Sequence, residues 1–98
     1  MRPQIEEAIR HKKLLQVDYK GGTRIIEPHL LAVQGGRIGV MSFQLEGYSS
    51  SGGLPEWRRI YLDEMVNLVV LSRKFAGRRP FPSGRHSSWD QVLLVVEE

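Results

Sequence analysis

A proline and a histidine interrupt an otherwise apolar, strand-like run, and that interruption restricts what the chain can build. The run is Arg24-Ile25-Ile26-Glu27-Pro28-His29-Leu30-Leu31-Ala32-Val33. Proline has no backbone N–H for a strand ladder, so at Pro28 the strand must lie at an edge or carry a bulge. A bulge bends its strand, as a small barrel requires. Gln34-Gly35-Gly36 supplies a tight turn, and the arm from 37 to 44 returns with a strand-like pattern. Residues 24–44 therefore read as a bent hairpin on which the rest of the chain is arranged.

The flanking segments fit that centre. Residues 3–13 read as a helix: Pro3 suits the first helical position, and Ile5, Ala8 and Ile9 form one apolar stripe. Glu6 and Glu7 lie toward the positive end of its dipole, Arg10, Lys12 and Lys13 toward the negative end. Leu15, Val17 and Tyr19 then alternate with polar residues, as in a half-buried strand, and Gly21-Gly22 reads as a hairpin turn. Residues 46–55 form a serine- and glycine-rich loop. A strand resumes at Trp57, and Asp63-Glu64 makes a turn. Residues 65–71, apolar and β-branched, are expected to form a buried strand. Residues 75–88 read as a basic connector rich in proline and glycine. Residues 91–97 are expected to form an apolar C-terminal strand, although Ser88 with Gln91 also fits a capping box opening a helix. The expectation is one domain over residues 1–98, mainly β, with one N-terminal helix and five or six short strands in a bent sheet or barrel. Barrel strands would occupy about residues 14–74.

Composition removes several functional classes. The 98-residue chain has no cysteine, so disulfide and thiolate chemistry are excluded, and a reducing, cytoplasmic location is expected. No apolar run approaches the ~20 residues of a membrane span. The net charge of +3 permits an anionic partner without demanding one. His11, His29 and His86 are far apart, without metal-ligand spacing, and no nucleophile elbow or zinc-protease helix occurs. The expectation is a protein that is not an enzyme and uses no metal or cofactor.

In order and spacing, Leu-Leu-Gln-Val-Asp-Tyr, Arg-Ile-Ile-Glu-Pro-His-Leu-Leu, Gly-Gly-Arg and Trp-Arg-Arg-Ile-Tyr-Leu-Asp-Glu-Met following a helix resemble the WYL domain. The resemblance covers about residues 5–75. It implies an Sm-like barrel with an N-terminal helix, in a bacterial regulatory setting, sensing a nucleotide or nucleic acid through polar and basic barrel residues. His29 falls on the histidine of the family's Glu-Pro-His stretch, and Arg58 on the arginine of its last motif strand. There are departures. The name motif falls on Ile38-Gly39-Val40, two further basic positions fall on Tyr61 and Glu64, and no helix-turn-helix precedes the helix. The resemblance thus implies a short stand-alone variant.

The candidate ligand site is His29, Arg37, Arg58, Arg59 and Tyr61. Arginine offers a planar fork of donors matched to phosphate or carboxylate, and histidine donates from either nitrogen. In the competing reading His29 caps a backbone carbonyl and Arg58 pairs with Glu27 or Asp63. Gly39 either opens a cleft or, as the favoured packing reading has it, relieves a crowded bulge or leaves space that another aromatic such as Tyr48 or Trp57 fills. Ser49-Ser50-Ser51-Gly52-Gly53 has the look of a phosphate cradle but lacks the P-loop lysine and helix, and reads as a hairpin tip. Arg73, Lys74, Arg78, Arg79 and Arg85, with Phe75 and Phe81 interleaved, form the best nucleic-acid candidate: cations for phosphates, rings for bases. The bland alternative is a solvated connector whose phenylalanines tuck onto the barrel. The expected partner is an anionic ligand or single-stranded nucleic acid. The rival is a homodimer or partner protein joined through a strand edge or the apolar run 92–96.

Overall fold

The computed structural model describes residues 1–50, 52–80 and 89–98. A helix, α1 (Arg2–His11), is followed by β1 (Lys13–Tyr19), β2 (Gly22–Gln34), β3 (Arg37–Gly47), β4 (Glu56–Tyr61), a 3-10 turn (Leu62–Glu64), β5 (Met65–Lys74) and β6 (Gln91–Val95). The protein is mainly β, with one N-terminal helix and a bent antiparallel sheet of six strands. The order is β4-β3-β2-β1-β5, with β6 added to β2. The sheet does not close, because β4 and β5, at its two ends, do not pair with each other. Among the described residues no helix is long and apolar enough to cross a membrane.

The bend lies where the proline places it. Pro28 is opposite Ser42 and Leu30 is opposite Met41, so His29 is an extra residue in β2. Two residues facing one make a bulge, which kinks the strand and increases its twist. On its other edge β2 changes partner at the same point. β1 pairs with it only as far as Ile26, and β6 begins at Leu30. Pro28 falls in the gap, where no ladder donor is needed, and Val96 N–H bonds to the His29 carbonyl to start the new pairing. The C-terminal run is therefore a strand, because the second half of β2 has an open edge that only an extended segment can satisfy.

Both faces of the second half of β2 are covered, which explains its unbroken burial. On one face Leu31, Val40 and Ile60 join Ile5, Ala8 and Ile9 of α1, Leu15 and Val17 of β1, and Val96. On the other, Leu30, Ala32 and Met41 form a second cluster under Trp89. This arrangement absorbs much of the apolar run 92–96: Val96 is fully buried, Leu93 and Leu94 pack on the main core, and Val92 stays exposed.

Three expectations need correction. The helix stops at His11 because Lys12 takes a left-handed conformation (φ 56°), which lets β1 start at once. Lys12 is held there by Phe75 N–H on its carbonyl and by its own ammonium on the Glu98 carbonyl. The first hairpin turns at Lys20-Gly21, both with positive φ, and Gly22 pairs with Tyr19 as the first strand residue. The second glycine is needed for packing, since a Cβ on Gly22 would lie 2.5 Å from the Tyr48 Cβ. Finally, β5 is a strand but not a buried one. Among the described residues it pairs with β1 alone, and Val66 and Val69 are 56% and 46% exposed.

The role of Gly39 is packing. An aromatic does fill the space, but it is Trp89, with Tyr61 beside it, rather than Tyr48 or Trp57. A Cβ on Gly39 would lie 2.8 Å from Trp89 Cη2 and 3.1 Å from Tyr61 Cδ1. Gly39→Ala should therefore destabilise the protein by about 1–3 kcal/mol in urea unfolding, the usual range for overpacking. In a Trp89→Leu background most of that loss should disappear. A Gly39→Ala protein as stable as the parent would contradict this packing.

Candidate functional site

Four of the five expected ligand residues lie at one end of the sheet. Arg37 starts β3, Arg58, Arg59 and Tyr61 lie on β4, and all four line a cleft of about 340 Å³. Tyr19, Lys20 and Arg24 come from the first hairpin, Ser49 and Ser50 from the loop after β3, and Glu64 from the 3-10 turn. The serine-rich loop is thus a wall of this cleft. His29 is not part of it: it is fully buried in the bulge.

The floor of the cleft is Arg24, which the sequence reading did not single out. It lies two residues before Ile26 on β2 and so shares its inward face. It is only 7% exposed. Its Nε donates to the Tyr19 carbonyl (3.3 Å) and its Nη1 to Gln44 Oε1 (3.3 Å). Its guanidinium lies 5.2 Å from the Tyr19 ring centroid and 5.6 Å from that of Tyr48. Among the described residues no carboxylate forms an ion pair with it, and Nη2 makes no hydrogen bond. Burial and then the field of Arg58 pull its pKa down, against smaller opposing effects of Tyr19 and Tyr48. Arginine nevertheless remains charged. A buried cation with donors left over is costly unless an anion or water satisfies it.

The other cations of the cleft are held in place differently. Arg58 reaches over the loop, donating to Ser49 Oγ (2.9 Å) and the Gly52 carbonyl (3.1 Å). Glu27 and Asp63, its expected partners, are taken by other residues. Arg37 forks onto Asp63 (2.8 and 2.7 Å), reaches Glu64 (2.7 Å), and stacks on Tyr61 at 3.9 Å. The hydrogen bonds from Arg37 hold the Asp63 and Glu64 carboxyls below their usual range, despite some opposing desolvation. Arg37 is therefore largely neutralised. Arg59 stacks on Trp89 at 4.1 Å and hydrogen-bonds to Gln34. Lys20 sits at the rim, 3.4 Å from Glu64. Five cations against one lining carboxylate make the cleft a basic one with donors at several depths.

His29 belongs to a separate, structural cluster. Its Nε2 is 3.1 Å from Glu27 Oε1, and Arg79 clasps both oxygens of Glu27 at 2.6 and 2.9 Å. An ionised carboxylate can only accept, so Nε2 carries a proton. The imidazole is packed between Trp57 (4.9 Å) and Phe75 (5.2 Å), and Arg79 covers Phe43 at 4.3 Å. The cluster ties the bulge to the segment leaving β5.

The proposed nucleic-acid stretch is mostly used for the same purpose. Arg79 serves Glu27, Arg78 donates to the Val96 carbonyl (3.2 and 3.0 Å), and Arg73 pairs with Glu46 on the surface (3.3 Å). Phe75 packs onto the core instead of facing solvent. Lys74 is exposed at the end of β5, while Arg85, Phe81 and His86 lie outside the described residues. Among the described residues no group of three His, Cys, Asp or Glu side chains could hold a metal ion. No protein-family model matches the chain, and no curated protein matches it.

Burial alone would raise the Glu27 carboxyl pKa, but hydrogen bonds from Arg79 and His29 outweigh it and hold the pKa below the usual value. A depressed folded pKa contributes stability that is present above the unfolded carboxyl pKa and is lost as pH falls through the folded one. Glu27→Gln should cost about 1–3 kcal/mol at neutral pH, the range for losing hydrogen bonds to a charged group. In thermal melts from neutral to strongly acid pH, the gap between parent and Glu27→Gln should narrow as pH falls. A constant gap would mean that the charge of Glu27 contributes nothing.

Proposed function

We propose that this protein is a non-enzymatic ligand-sensing module that binds an anionic ligand, a nucleotide or nucleic acid, in the basic cleft between the first hairpin and β4. Arg24 carries the reading. It is a buried guanidinium without a carboxylate partner among the described residues, at the floor of a cleft with Arg58 above it. Buried charges are normally neutralised, as buried Glu27 is here by the half-exposed Arg79. The WYL resemblance of residues 5–75 supports the same reading and adds a bacterial regulatory setting. It is weakened by the position of His29, away from the cleft.

Titration with nucleotides and single-stranded oligonucleotides at low salt, followed by tryptophan fluorescence, tests this. Binding should fall at least tenfold in Arg24→Gln and in Arg58→Ala, and steeply with added salt if phosphates dominate. His29→Ala should lower stability more than affinity. Absence of binding, or binding unchanged in both arginine variants, would overturn the reading.

One observation favours a second reading, a protein-interaction module. β5 has one neighbour, and its exposed Val66 and Val69 present an apolar strand edge to a second copy or a partner. The same strand carries counter-measures: Asn67 has positive φ, the register with β1 shifts there, and Arg73 and Lys74 charge its end. Light scattering over a concentration series should show a monomer if these prevail. A dimer that dissociates in Val69→Lys would establish the second reading.

A further inference from the structure

The geometry of the cleft points to a ligand class: a terminal phosphate, a phosphomonoester carried by a nucleoside or by the 5′ end of a strand, seated on Arg24. This inference rests on the anion-binding reading above. Proteins that track a single strand lay a groove of cations along several successive phosphates, with site sizes of about 4–16 nucleotides per fold. Among the described residues Arg24 is the one buried lysine or arginine, and it lines a cleft. Arg24 is 7% exposed, enclosed by Tyr19 and Tyr48, with Gln44 behind it. An internal phosphodiester must enter and leave with chain on both sides, whereas a residue only 7% exposed is reached most simply by a group with a single substituent. A terminal phosphate meets that condition.

Charge leads to the same class. A phosphomonoester carries about −1.5 to −2 at pH 7, whereas an internal diester carries a single charge. Arg24 has donors at Nη2 that meet no described residue, and Arg58 is close enough to depress its pKa. Two guanidiniums whose fields oppose each other are relieved more by a dianion than by a monoanion. Ser50 lines the wall and offers a hydroxyl.

Size and rim complete the fit. About 340 Å³ is at the lower end of the range for small-molecule sites, room for a single nucleotide. At the mouth, Arg37 stacked on Tyr61 forms a flat cationic and aromatic surface of the kind on which a base stacks. Glu64 is an acceptor at the same rim, within reach of sugar hydroxyls or an exocyclic amine.

The test compares adenosine, AMP, inorganic phosphate, and hexathymidylate with and without a 5′ phosphate, against the parent chain and Arg24→Gln, at fixed low salt. AMP should bind at least tenfold more tightly than adenosine, and the 5′-phosphorylated strand at least tenfold more tightly than its 5′-hydroxyl counterpart. Both ratios should collapse toward one in Arg24→Gln. AMP alone binding would assign the site to free nucleotides, and both binding to phosphorylated ends in general. Because Arg24 is buried, circular dichroism must show the variant folded, and Arg24→Lys, which keeps a charge but loses the fork, should retain part of the preference. Equal binding of the two oligonucleotides, weakened together in Arg24→Gln, would overturn the terminal-phosphate inference and leave the anion cleft standing. No binding of any probe would overturn both.

Discussion

The bulge at His29 is the constraint on which the rest of the structure depends. It lets one 13-residue strand serve two partners on the same edge, β1 up to Ile26 and β6 from Leu30. Without it β2 would run straight, the sheet would be flatter, and the C-terminal strand would have no edge to join. The bend also leaves two polar side chains, Glu27 and His29, inside. They hydrogen-bond to each other, and the half-exposed Arg79 clasps Glu27 from outside, so the cost of burying the carboxylate is offset by charge-assisted hydrogen bonds. The residues most suggestive of chemistry in the sequence thus hold the bend together.

A second consequence is the division of labour among the arginines. Arg37, Arg78 and Arg79 each meet a carboxylate or a backbone carbonyl within the fold, and Arg59 meets Gln34 and the Trp89 ring. Arg24 differs in being buried without such a carboxylate among the described residues. Count and clustering of basic residues along the sequence point to residues 73–85. Burial and partner geometry point instead to the far end of the sheet, where Arg24 and Arg58 converge from strands more than thirty positions apart in sequence.

Gly39 shows how a position without a side chain can be filled from a distance. The space beside Gly39, near the start of β3, is filled by Trp89, which lies just before β6 and roofs the second apolar cluster. Arg59 then stacks on the outer side of that indole. The glycine in β3 and the tryptophan before β6 are parts of one packing solution.

Much of the architecture was legible in the residues themselves. The alternation of Leu15, Val17 and Tyr19, the stripe of Ile5, Ala8 and Ile9, the glycine turns and the break at Pro28 are local signals, because periodicity and backbone chemistry act over a few residues. Burial of β5 was misjudged for the same reason. An apolar β-branched run reports a strand but not how many neighbours that strand has, and β5 has one. The site was legible in part: Arg37, Arg58, Arg59 and Tyr61 do share a cleft, while Arg24 gave only the weak sign of a cation in phase with Ile26. The turn shift at Gly22 and the roof over Gly39 depend on Tyr48 and Trp89, both distant in sequence. Local chemistry sets which segments extend, coil or bend. Which charges end up satisfied depends on contacts between distant segments, and only the tertiary structure could decide that His29 and Arg79 hold the fold while Arg24 faces the cleft.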